Sequence, residues 1–110
     1  MEKLIIEAIK IKGKCPVFKV GYKMTIKGPK IDLEETDAIC THAFASFLPY
    51  IVALRKGVKP SEIGLGKGEK AYVQCLDPGP PYTEGGTVIF EITVIEDETE
   101  KSLGNSEKSD

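Results

Sequence analysis

The sequence predicts an α+β domain: a mostly antiparallel sheet of about four strands, with a Pro-broken helix between the second and third strands. Three observations carry this expectation. Segments near both ends alternate apolar and polar residues with a period of two, and a middle segment spaces its apolar residues with a period near 3.6. Clusters of glycine and proline, rather than long polar linkers, punctuate them.

The first strand runs from Leu4 to Lys12, rich in β-branched residues, with Ile9 and Ile11 set against Lys10 and Lys12. In the second, Phe18, Val20, Tyr22, Met24 and Ile26 share one face, and Lys19, Lys23 and Lys27 share the other. The helix follows, with Asp32 or the pair Thr36-Asp37 as candidate caps. Its apolar stripe is Cys40, Phe44, Phe47 and Ile51. Pro49 has no backbone donor and is expected to kink or split this helix, and Gly57 to end it. A third strand, Lys70 to Leu76, leads through Asp77-Pro78-Gly79-Pro80-Pro81 and Gly85-Gly86 into the fourth, built on Val88, Phe90, Ile92 and Val94. The last two read as a long-looped hairpin.

With 110 residues and 41% apolar content, the chain is sized for one compact domain and not two. Residues 96–110 carry six acids and two lysines with Leu103 as the lone large apolar residue, which predicts a disordered acidic tail after a single domain over 1–95. The balance of 15 basic and 17 acidic side chains excludes a strongly cationic polymer binder. The first 30 residues hold eight lysines and two glutamates, yet Phe18 and Tyr22 lie on the strand face opposite Lys19, Lys23 and Lys27. A single-strand binder needs aromatic and basic groups on the same exposed face, so the pattern argues against nucleic acid. No stretch approaches the roughly 18–20 apolar residues of a membrane span, and the first residues lack the shape of a signal peptide. The expectation is a cytoplasmic protein with no membrane partner, and the sequence leaves open whether it has a small-molecule or protein partner.

Chemistry concentrates in three cysteines, Cys15, Cys40 and Cys75, and one histidine, His42. The odd count argues against a disulfide framework, and no Cys-x-x-Cys pair is present. If the fold brings them together, three soft thiolates with His42 as a weak fourth ligand suit zinc, iron or an iron–sulfur cluster. Against this, Cys40 lies on the apolar helix stripe, Cys75 shares strand parity with Ala71 and Val73, and free cysteine packs well as a small hydrophobe. On one helix, Cys40 and His42 stand about 200° apart, so they face one site only if the helix starts after Cys40. With a cap at Thr36 or Asp37, Cys40 instead occupies the first turn, where free amides favour a reactive thiolate. The run Gly64-Leu65-Gly66-Lys67-Gly68 has the wrong spacing for a phosphate loop and precedes a strand rather than a helix. No nucleophile elbow is present, so no hydrolase is indicated.

Three segments together carry a resemblance. Gly13-Lys14-Cys15-Pro16 with Val20-Gly21, Asp37-Ala38-Ile39-Cys40 with Leu48-Pro49-Tyr50, and Cys75-Leu76-Asp77-Pro78-Gly79 resemble an uncharacterised family of short single-domain archaeal and bacterial proteins. The resemblance spans about residues 4–95 and implies recurrent cysteines at Cys15, Cys40 and Cys75, which favours a metal-binding or redox role for them. This chain departs from the pattern at Tyr22, where an aspartate is expected, and at Leu76, where a proline is expected. The resemblance implies no reaction. A cysteine-dependent module is therefore the favoured reading, and a non-catalytic small-ligand or protein-binding module with core cysteines is the alternative.

Overall fold

A computed structural model describes residues 2–96. The described residues form a five-stranded antiparallel sheet with one α-helix against one face. Strands β1 (Glu2–Gly13), β2 (Lys23–Lys27), β3 (Lys30–Ile31), β4 (Ala71–Gln74) and β5 (Gly86–Glu96) lie in the spatial order β3-β2-β1-β5-β4. Helix α1 (Thr41–Arg55) connects β3 to β4. The α+β class therefore stands, and the strand added to the expected four is the two-residue β3.

The long central strand β1 buries Leu4, Ile6 and Ala8. Its ladder with β5 then shifts by one residue between Ala8 and Lys10. The extra residue is Ile9, which stays 37% exposed, and the shift returns the odd-numbered Ile11 to the core side. A bulge reverses strand parity, so Ile9 and Ile11 do not share a face as the alternation alone suggests. The pairing then continues to Gly13 opposite Gly86.

The second strand is shorter than expected. Phe18 is buried, but Val20 is 64% exposed and Gly21 takes a φ of 96° inside a turn closed by the Tyr22 amide donating to the Lys19 carbonyl at 2.9 Å. Such a backbone cannot continue a strand, so β2 begins only at Lys23. Its far face is not simply solvated. Thr25 is fully buried there, its amide donating to Thr36 Oγ1 at 3.0 Å and its hydroxyl to the Glu35 carbonyl at 2.7 Å. The Lys23 amide donates to Asp37 Oδ2 at 2.9 Å, and Lys27 Nζ lies 3.4 Å from Asp32 Oδ2. Asp32, Thr36 and Asp37, the expected helix caps, thus tie the segment before the helix onto β2. Asp32 caps only a single turn of 3-10 helix, Leu33–Glu35.

Helix α1 starts at Thr41, with Cys40 as its N-cap in extended backbone (φ −120°, ψ 132°). It runs unbroken through Pro49, correcting the expected break. Its buried residues are Ala43, Phe47, Ile51 and Leu54, with Phe44 packed beside them. The C-terminus closes as expected at Gly57, whose φ is 94°. The Gly57 amide donates to the Leu54 carbonyl at 3.1 Å and the Val58 amide to the Ala53 carbonyl at 3.0 Å, the pair of bonds that makes a Schellman cap.

The core between helix and sheet centres on Phe90 of β5, which is 1% exposed. Phe18 meets it edge to face at a ring distance of 5.0 Å, and Phe47 does so from the helix at 5.9 Å. Strands β4 and β5 form the expected hairpin, joined by a long loop. Glu96 belongs to β5; the acidic segment beyond it, expected to be disordered, lies outside the described residues.

Candidate functional site: a thiol-lined pocket

One end of the sheet gathers the C-terminal end of β1, the C-terminal end of β4 and the first residues of β5. The antiparallel pairing dictates this, because Gly13 stands opposite Gly86 and Gln74 opposite Ile89. Cys15 follows the end of β1, Cys75 follows β4, and Cys40 begins the helix that crosses the same end. All three cysteines, with His42 and Asp77, line one pocket of about 300 Å³. Pro16, Val17, Phe18, Ala43 and Val88 supply its apolar walls.

The three sulfurs differ in surroundings. Cys75 is buried, with its amide donating to the Val88 carbonyl at 3.0 Å as a continuation of the β4–β5 ladder. Its sulfur accepts the Val88 amide at 3.3 Å, and its thiol points at the carbonyls of Gly86 (3.6 Å) and Asp77 (3.8 Å). Cys15 is half-buried and accepts the amides of Val17 at 3.4 Å and Phe18 at 3.2 Å. Pro16 brings no donor of its own but fixes the turn, and Phe18 is pinned by its ring against Phe90. Cys40 is half-buried and makes no capping hydrogen bond.

His42 is exposed on the pocket rim, in the first turn of α1. Because Cys40 precedes the helix, the 200° separation that would keep the two apart does not apply to them. Opposite lies Asp77, whose Oδ1 accepts the Gly79 amide at 2.9 Å and the Thr83 hydroxyl. Those two donors, the hydroxyl first, hold its carboxyl below the usual range against the opposing effect of burial, and the charge of His42 acts in the same direction. Gly85 makes room for this carboxylate, since a Cβ there would overlap Asp77 Oδ2. Gly13 is required likewise: its φ is 83°, and a Cβ would lie 2.7 Å from the Gly85 carbonyl oxygen.

All four sequence-predicted residues, Cys15, Cys40, Cys75 and His42, therefore meet at one pocket. Among the described residues, however, no three His, Cys, Asp or Glu side chains form a group that could hold a metal ion. Asp77 joins the three cysteines and His42 at the pocket, and the Asp77-Pro78-Gly79 turn next to Cys75 is the sequence signal for it. Among the described residues, no helix is long and apolar enough to cross a membrane. The chain matches no family model, no curated protein and no solved structure.

Proposed function

We propose that this chain is a small cysteine-dependent module whose working site is the thiol-lined pocket, acting through thiol chemistry on a small ligand. The observation that supports it most is the convergence of three cysteines, separated by 25 and 35 positions in the chain, on one cavity of about 300 Å³. Cysteines used only as small hydrophobes have no reason to gather around a cavity open to a ligand. The two amides aimed at Cys15 place positive partial charge on a sulfur that solvent reaches, a microenvironment that suits a nucleophile. The resemblance carried by the same three segments supports the same reading.

Alkylation of the reduced, folded full-length chain with iodoacetamide, read by peptide mass mapping, tests it. Cys15 and Cys40 are expected to label in the native protein, and Cys75 only on unfolding. Native protein that takes up no label at Cys15 or Cys40 would leave a non-catalytic binding module with packing cysteines.

A second reading, a soft-metal or iron–sulfur centre, draws on the presence of His42 beside the three thiols. Cys15, Cys40 and Cys75 would hold it, with His42 as the weak fourth ligand, and zinc, iron or a cluster would each suit that donor set. Against it, no three His, Cys, Asp or Glu side chains among the described residues form a group that could hold a metal ion. Metal and sulfide analysis of anaerobically purified protein decides it: near-stoichiometric zinc or iron, lost in Cys40→Ser, establishes the centre.

A further inference from the structure

Resting on the thiol reading of this pocket, we infer that Cys15 and Cys40 form a redox pair that reduces a small organic hydroperoxide, with Cys15 attacking, Cys40 resolving and Cys75 excluded. The division of labour comes from the unequal surroundings of the three sulfurs. Cys15 carries two amide donors on its sulfur, is half-buried at the pocket, and sits on irregular backbone after β1. Negative charge developing there is met by dipoles already in place. Cys40 also lies on extended, non-helical backbone, lines the same pocket and makes no capping bond that a change of partner would break. Cys75 is 6% exposed, and the ladder bond from its amide and the contacts at its sulfur hold it in place. A disulfide needs its two sulfurs about 2.05 Å apart, a distance that asks for some backbone freedom. Cys15 and Cys40 both lie outside the strands and the helix, whereas the Cys75 amide is bonded to the Val88 carbonyl of β5.

The chemistry balances as follows. The Cys15 thiolate attacks the terminal oxygen of the hydroperoxide, the O–O bond breaks, and the alkoxide leaves and takes a proton to become an alcohol. The sulfur, oxidised by two electrons, now carries a hydroxyl as a sulfenic acid. The Cys40 thiolate attacks that sulfur, the S–O bond breaks, and hydroxide leaves and is protonated to water. Two thiols and one hydroperoxide thus yield one disulfide, one alcohol and one water. The walls of Pro16, Val17, Phe18, Ala43 and Val88 suit the organic part of such an oxidant.

The test treats the reduced full-length chain with one equivalent of tert-butyl hydroperoxide under anaerobic conditions. Intact mass is expected to fall by two hydrogens, and the peptide map to join Cys15 to Cys40 within one chain. In Cys40→Ser the reaction stops with one oxygen added at Cys15, trapped by dimedone. Cys15→Ser slows by about tenfold or more. A bridge to Cys75, a disulfide formed only between two chains, or unchanged thiols would each overturn the inference, and the parent protein alone decides among these. If Cys15 and Cys40 alkylate yet never bridge, the redox pair falls while the thiol pocket stands. If neither alkylates, both fall.

Discussion

At the scale of single residues, Asp77 shows how a loop prepares a site. Its carboxylate is fixed by the Thr83 hydroxyl and the Gly79 amide, and Gly85 leaves it the space it occupies. A carboxyl held below its ordinary value of 3.8 favours the folded state at every pH above that value. The contribution disappears as pH falls through the lowered value. Thr83→Val removes the leading donor, so the Asp77 midpoint followed by NMR is expected to move up toward 3.8. The variant's stability deficit should be present at neutral pH and vanish in strong acid; an unmoved midpoint would contradict the assignment. Cys75 was legible at this scale, because strand parity with Ala71 and Val73 already placed it inward. Cys40 was not: its environment depends on where the helix starts, and Asp32, Thr36 and Asp37 all carry capping chemistry. Backbone groups of β2 claim Thr36 and Asp37, and the amide of Glu34 claims Asp32. The first turn of α1 is therefore left without a side-chain cap.

At the scale of elements, α1 tolerates a residue that ordinarily ends helices. Pro49 is exposed and has no N–H for the Ala45 carbonyl, yet the helix continues to Arg55. Burial of Phe47, Ile51 and Leu54 on both sides of the proline offsets the lost bond, each side chain contributing about 1.5–3 kcal/mol. Pro49→Ala restores the donor without touching the core and is expected to stabilise the protein by about 1–3 kcal/mol, read as a higher urea midpoint at constant slope. A loss of stability would show that the proline-shaped path of the helix is itself required for packing. The Schellman end at Gly57 was legible because glycine marks a positive φ. The bulge in β1 was not, since Ile9 and Ile11 are both apolar and alternation alone fits them to one face. Only pairing with β5 reveals that one residue is extra.

At the scale of the whole molecule, Phe90 joins the three parts that build the pocket. It packs against Phe18 of the Cys15 loop and Phe47 of the helix while standing in the strand that pairs with β4. Phe90→Ala is expected to cost about 3–5 kcal/mol, a large share of the stability of a domain this size. It should also expose Cys75 to alkylation in mild urea, where the parent protects it. Loss of stability with Cys75 still protected would mean that the aromatic cluster and the pocket unfold separately. The α+β class, a mostly antiparallel sheet and an amphipathic helical segment were determined by the sequence alone, because periodicity and turn residues act over a few neighbours at a time; that the helix runs unbroken through Pro49 was not. The meeting of Cys15, Cys40, Cys75 and His42 was decided only by the tertiary structure. It depends on which strand ends share one edge of the sheet and where the helix begins, and these follow from pairings between residues as distant as Gly13 and Gly86.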